Sequence, residues 1–369
     1  MAVIKMKGYI LVGLFDPLKI GDLIIPNRII MAPLTRSRAG KERIPNALMA
    51  EYYQQRASAG LIIAEATSIS PMGVGYADTP GIWSSAQIEG WKLTTQAVHA
   101  AGGRVFLQLW HVGRISDPIF LNGQLPVAPS AIAAPGHVSL LRPQRPYVVP
   151  RALETKEIPD IIESYRQAAY NAKVAGFDGV EIHGANGYLL DQFLHESTNQ
   201  RHDRYGGSLE NRARLMLEVT DAAISVWGAK RVGVHLSPRS DKLPDEDTHL
   251  TETFRYVAAE LGKRQIGFIF VRESLKEGRI GLEIRKAFGG VYIANQKITK
   301  ELAEHALKNN QADAVAFGTL FISNPDLPRR FSLNAPLNPS DPTTFYTPGA
   351  KGYADYPALQ GTFNETRIN

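Results

Sequence analysis

Eight short apolar runs alternate with segments of helical period along this 369-residue chain, and no other feature restricts its fold as much. The runs are residues 28–32 (RIIMA), 61–65 (LIIAE), 104–109 (RVFLQL), 179–183 (GVEIH), 231–236 (RVGVHL), 267–271 (GFIFV), 290–294 (GVYIA) and 313–317 (DAVAF). Most are rich in Val, Ile and aromatics, the pattern of strands covered on both faces. Between them, residues 155–176 carry Ile158, Ile161, Ile162, Tyr165, Ala168, Ala169 and Ala172 at the three-and-four spacing of one buried helix face. Gly176 supplies a helix stop. Ser208 is placed to cap a helix running to about Val226, and Thr299 to cap another with Leu302, Ala303, Ala306 and Leu307 inward. Strand–helix alternation implies a parallel sheet. Eight repeats over this length predict an α/β fold of one closed (β/α)8 TIM barrel.

The surplus length has defined places to go. Residues 14–26 (LFDPLKIGDLIIP) predict a hairpin lid before the first strand, with Gly21-Asp22 near its turn. Residues 111–154 form a long excursion after the third strand, expected over the C-terminal mouth of the barrel, and residues 333–369 form a tail. The expected organisation is an extension over 1–13, the barrel over 14–359 and a terminal tail over 360–369. Lys5 and Lys7 before residues 9–15 faintly imitate a secretion signal, but Asp16-Pro17 stands where a small-residue cleavage site belongs. No run approaches the length of a membrane span. Zero cysteines exclude disulfides, thiolate metal sites and thiol catalysis, and are compatible with the cytoplasm. The net charge of +5 is dispersed, so neither a nucleic-acid nor a membrane partner is expected, although a small anionic ligand would be welcome.

The polar residues at strand ends are the functional signal. His183 closes the fourth run, and Asn186 and Tyr188 follow within six residues. A lone histidine there is more often a core residue bonded to a carbonyl; an amide and a phenol beside it reverse that preference. Thr35 after the first strand, Gln108 in the third and His235 in the fifth should reach the same mouth. Asn295 and Gly318 stand after the seventh and eighth strands, the usual phosphate site of such barrels.

Several longer stretches carry a resemblance: residues 27–38 (NRIIMAPLTRSR), 106–110 (FLQLW), 183–193 (HGANGYLLDQF), 203–212 (DRYGGSLENR), 321–327 (FISNPDL) and 344–346 (TFY). In this order, over roughly Leu14 to Leu359, they resemble the Old Yellow Enzymes, FMN-dependent ene-reductases, and among them the N-ethylmaleimide and xenobiotic reductases. The resemblance implies FMN as bound cofactor and NADPH or NADH as hydride donor. It implies that His183 and Asn186 bind the oxygen of an activating group and that Tyr188 protonates the α-carbon. Thr35 would bond flavin O4, Gln108 would read the pyrimidine edge, and Pro33, Leu34 and Ala66 would line the ring. Tyr76, Trp110 and Tyr346 would wall the substrate pocket, and Asn295, Gly318 and Thr319 would hold phosphate, mostly through backbone N–H groups. Residues 203–212 read equally well as a structural turn and helix start and receive no chemistry.

Two positions depart from the family pattern. Arginine is usual where this chain has His235, beside flavin N1 and O2, and common where Thr319 stands. A histidine at the first position predicts cofactor reduction coupled to proton uptake, with Arg239 as the alternative cation. The expected function is NAD(P)H-dependent reduction of activated C=C bonds in α,β-unsaturated carbonyls, imides and nitroalkenes, with nitrate esters or nitroaromatics as variants, by a monomer or homodimer that needs no metal. The alternative is a flavin-binding storage or redox-sensing protein with little turnover, a reading that only His235 favours.

Overall fold

The computed structural model describes residues 5–6, 9–10, 12–239, 249–274 and 278–360. About half of the expected extension over 1–13 is described, with Lys5–Met6 pairing antiparallel to Tyr9–Ile10, whereas of the expected tail over 360–369 only residue 360 is.

Eight parallel strands close into a barrel: β1 (Ile29–Met31), β2 (Leu61–Ser68), β3 (Val105–Trp110), β4 (Gly179–His183), β5 (Val232–Leu236), β6 (Phe268–Arg272), β7 (Tyr292–Asn295) and β8 (Ala314–Phe317). These are the eight apolar runs, in order, with β8 pairing back to β1. The helices are α1 (Ala47–Gln54), α2 (Ser85–Ala100), α3 (Ile158–Val174), α4 (Leu189–Leu194), α5 (Leu209–Trp227), α6 (Leu250–Lys263), α7 (Gly281–Phe288), α8 (Lys300–Lys308), α9 (Thr319–Ser323) and α10 (Leu327–Leu333). The caps act as their residue types predict: the Ser208 hydroxyl accepts from the Asn211 N–H and the Thr299 hydroxyl from that of Leu302.

The two ends of the barrel are built for different tasks. At the N-terminal end, Leu18–Ile20 and Leu23–Ile25 form the hairpin, whose Ile20 and Ile25 join Ile30, Ile63, Phe106 and Phe268 in the barrel interior. Its turn glycine, Gly21, has φ +58° and sits where a Cβ would lie 2.1 Å from the Lys230 carbonyl oxygen, so only glycine lets the turn seat there. Asp22 pairs with Arg231 beside it. The hairpin therefore plugs the end remote from the strand C-termini. Above it, a Cβ on Gly233 would lie 2.2 Å from the Phe268 ring, so this glycine makes room for a phenylalanine to fill the lower barrel.

The C-terminal end is open and covered by loops. The excursion after β3 is stitched down by Val127–Ala128 pairing with Arg151–Ala152, by Arg114 Nη1 donating to the Ile132 and Ala133 carbonyls, and by the Ser116 hydroxyl donating to the Val74 carbonyl. The expected tail differs from a free end. Arg36 and Arg38, both buried, must find acceptors, and they find them in that segment: Arg36 Nη2 donates to the Gly352 carbonyl (2.7 Å) and Arg38 Nη2 to that of Thr344 (2.9 Å). Tyr353 stacks on Tyr52 at 4.0 Å between centroids. Residues 344–354 are thus tied to β1 and α1, and they carry Tyr346 to the mouth. Among the described residues, no helix is long and apolar enough to cross a membrane.

Candidate active site

The loop after β4 is shaped by its own backbone requirements. Asn186 and Gly187 both take left-handed conformations (φ 60° and 76°), which asparagine tolerates and glycine adopts freely. The Asn186 N–H donates to the Ser237 hydroxyl (2.7 Å), the Gly187 N–H to Asp191 Oδ2 (2.8 Å) and the Leu189 N–H to the His111 carbonyl (3.0 Å). This turns Tyr188, the residue before α4, back over the strand end.

The rings there form one assembly. Tyr76 stacks on Trp110 (5.3 Å, 25°), Trp110 on His183 (6.3 Å, 18°) and His183 on His235 (5.0 Å, 20°). Tyr188 stands edge-on to both Trp110 and His183, 5.0 Å and 84° from each. Its hydroxyl is 2.8 Å from that of Tyr76. Burial, with the Arg272 charge nearby, pulls the His183 imidazole down to about 3, so it is neutral at physiological pH. Burial raises the Tyr188 phenol to about 12, so it keeps its proton. His235 is also neutral: burial lowers it well below 6.5, and His183 and Arg272 add to this. Arg239, the alternative cation, has its Nη1 on the Gly278 carbonyl (2.6 Å).

A polar step lies beneath these rings. Glu181 faces Gln108 across the β3–β4 register, and Gln108 Nε2 contacts both Glu181 Oε2 (2.5 Å) and His235 Nδ1 (3.1 Å). Burial raises the Glu181 carboxyl to about 8, so it too is mostly neutral near pH 7.

Two cavities meet at this assembly. One, of about 520 Å3, includes Pro33, Leu34, Asn186, His235, Arg272, Asn295, Gly318 and Thr319 in its lining. The other, of about 470 Å3, is lined by Thr35, Tyr76, Tyr188, Tyr346 and the 137–144 part of the excursion. Both are of the size that holds a small molecule. Thirteen of the fifteen singled-out residues line a cavity or belong to the stacked rings. Ala66 and Gln108 lie just below, Ala66 packed on Trp110 and Gln108 on the polar step. Trp110, expected as a wall, is 1% exposed and acts from behind Tyr76 and His183. Arg272, Glu181, Ser237 and Asp191 were not anticipated. The first could have been found by counting alternate residues inward along β6. Residues 203–212 form a turn and helix start: Asp203 pairs with Arg201 and the segment leads into α5.

Residues 13–338 match the NADH:flavin oxidoreductase / NADH oxidase family. The chain belongs to that family. It is 45% identical to 12-oxophytodienoate reductase 1 of Oryza sativa subsp. japonica, over 98% of this chain and 97% of that protein. Among solved structures, it is similar to the Old Yellow Enzyme homologue of Zymomonas mobilis, with a TM-score of 0.91 and 48% identity over 94% of this chain and 100% of the other. It is likewise similar to morphinone reductase in complex with tetrahydroNAD, with a TM-score of 0.90 and 50% identity over 95% and 98%. An Old Yellow Enzyme relative of this kind is an FMN-dependent oxidoreductase served by NAD(P)H.

The residues present fit such a flavin. His235 Nε2, His183 Nδ1 and Trp110 Nε1 are buried and find no partner among the described residues, the condition in which a binding site leaves atoms meant for a ligand. At the far end of the larger cavity, Gly318 joins β8 to α9, and a Cβ there would press on Leu34 Cδ2 at 3.3 Å. Asn295 Nδ2 is held by the Ala316 carbonyl (2.8 Å), so this side chain ties β7 to β8 and leaves phosphate to backbone donors.

Proposed function

We propose that this chain is an NAD(P)H-dependent ene-reductase acting on activated C=C bonds of α,β-unsaturated ketones, aldehydes, imides and nitroalkenes, with nitrate esters and nitroaromatics as related substrates. The observation that carries the reading is the convergence of a neutral imidazole, a primary amide and a protonated phenol at one barrel mouth: His183, Asn186 and Tyr188. Pro33, Leu34, Thr35, Ala66 and Gln108 would hold the ring of FMN, and Asn295, Gly318 and Thr319 its phosphate. Bound there, FMN supplies the hydride it has taken from NADPH or NADH.

The chain's own residues do the rest. Negative charge develops on the substrate's activating oxygen as its β-carbon is reduced, and donors fixed in advance stabilise that charge without reorganising. His183 is neutral and offers one N–H as a hydrogen-bond donor. The Asn186 carbonyl is engaged by Arg272 Nη1 (2.9 Å), so its NH2 group is the end left to donate. Tyr188 gives its proton to the α-carbon, and Tyr76, within hydrogen-bond distance and lining the open cavity, connects that phenol with solvent. Tyr346 closes the rim.

The purified protein should be yellow and release FMN on denaturation. Anaerobic NADPH or NADH should bleach it, and 2-cyclohexenone should restore the colour within the mixing time of a turnover. A protein that cannot be reconstituted with FMN, or that bleaches and does not recolour with any enone, refutes the reading.

A further inference from the structure

One charged side chain at the mouth has so far been given only its contact with Asn186. Arg272 is the last residue of β6. Phe268 and Phe270 of that strand point into the barrel interior, and a strand's side chains alternate, so Arg272 continues the inward face one step higher, at the mouth. It lines the cavity that holds His235, Asn295 and Gly318, and also a neighbouring cavity bounded by Asn186, Tyr188 and Tyr147. Its Nε donates to Gln296 Oε1 (2.8 Å) and its Nη1 to Asn186 Oδ1 (2.9 Å). Arg272 and Lys297 are the cations lining the larger cavity, and of the two Arg272 stands on a barrel strand, next to the strand that carries His235.

Three facts combine. The position on β5 where an arginine is usual holds His235, a ring stacked on His183 and edge-on to Phe270, whose burial disfavours the charged form. A permanent cation enters the same cavity from the adjacent strand. An arginine carries donors only, so the Asn186 atom facing it must be the carbonyl oxygen. Resting on the flavin reading, we infer that Arg272 is the fixed cation set against the negative end of the reduced flavin, moved from β5 to β6, and that it holds the Asn186 amide with its NH2 group toward the substrate. In the first role it touches the cofactor; in the second it is a positioning residue.

The test uses Arg272→Gln, Arg272→Lys and His235→Gln beside the wild type. Apoprotein is titrated with FMN and with riboflavin, the two-electron potential is measured by spectroelectrochemistry from pH 6 to 9, and 4-chlorophenol is titrated into the oxidised holoenzyme. Arg272→Gln should weaken binding of reduced relative to oxidised flavin at least tenfold, which lowers the potential by ~30 mV or more. It should leave the ratio of FMN to riboflavin affinity as in wild type and weaken phenol binding at least tenfold. Arg272→Lys should recover the potential, which needs only charge, and not the phenol affinity, which needs the guanidinium's reach to Asn186. His235→Gln should leave the slope of potential against pH unchanged. An unaltered potential in Arg272→Gln overturns the cation role. Loss of FMN affinity with riboflavin affinity retained assigns Arg272 to the phosphate and also overturns it. Unaltered phenol binding overturns the positioning role. Wild-type apoprotein that binds neither FMN nor riboflavin sinks the flavin reading itself, an outcome separate from the others.

Discussion

Replacing Tyr188 with phenylalanine isolates one atom. The ring keeps its edge-on contacts with Trp110 and His183, 5.0 Å from each, so packing is retained and only the hydroxyl is lost. A positioned general acid contributes roughly 10²–10⁴-fold, or ~3–5 kcal/mol of barrier. The Tyr76 hydroxyl remains, but it stood 2.8 Å from the lost oxygen, one hydrogen bond farther from the substrate, and reaches the α-carbon only through an intervening water. The loss should therefore be about a hundredfold or more for 2-cyclohexenone. It should be small for 1-nitrocyclohexene, whose reduced nitronate can leave without enzymatic protonation. Reduction of the flavin by NADPH should be unaffected. Stability should fall by only ~1 kcal/mol, the worth of one hydrogen bond. Because burial raises the Tyr188 phenol to about 12, the wild-type rate with the enone should be flat from neutral pH to about 10 and fall only as pH approaches 12. The measurement is anaerobic stopped-flow of each half-reaction with both substrates. Equal losses on enone and nitroalkene, or no loss on either, would refute the assignment of the proton to Tyr188.

Further outcomes follow from other groups. His183→Ala should cut enone reduction by on the order of 10²–10³-fold with little change in flavin reduction, as expected for loss of one fixed donor; equal damage to both half-reactions would contradict its role. In wild type the His183 imidazole titrates at about 3, below its ordinary value, so its stabilising contribution is present above about pH 6.5 and lost as pH falls toward 3; acid melting curves of the alanine variant should be flatter in that window. Glu181→Gln tests the opposite sign: a carboxyl raised to about 8 by burial favours the folded state below about pH 4.5 and loses that contribution as pH rises through 8. The glutamine variant should therefore gain stability relative to wild type at pH 8–9, by on the order of a few kcal/mol, and a melting temperature that tracks wild type at every pH would exclude a buried neutral acid. Arg56→Met removes donors to the Tyr52, Phe321 and Ile322 carbonyls (2.7, 2.8 and 2.8 Å), the last two on α9, and should lower the melting temperature by roughly 5 °C or more and weaken FMN binding; an unchanged FMN affinity would detach α9 from the phosphate site.

The barrel was legible because strands buried on both faces announce themselves as apolar runs, and the site because its polar residues interrupt those runs where the strands end. His183, Asn186 and Tyr188 lie close in sequence, so their convergence needed only one loop to turn. What the sequence concealed depends on pairing between distant segments. Glu181 meets Gln108 through the register of β4 on β3, and that register follows from barrel closure and not from either strand alone. Residues 344–354 dock through their backbone carbonyls, which have no sequence signature, although Arg36 and Arg38, the donors that hold them, were in plain view. His235 and Arg272 show what reading one strand at a time leaves out. Taken by itself, a histidine in the place of an arginine implies a missing charge and a titrating substitute. The apolar run of β6 was read as stopping at Val271, which left Arg272 in a loop. Extending the inward alternation of Phe268 and Phe270 by one step brings a guanidinium into the same cavity and onto the Asn186 carbonyl, while burial is what chiefly lowers both histidines. A charge absent from one strand of a closed barrel is therefore to be sought on the inward face of its neighbours, one step up or down, before the site is taken to lack it.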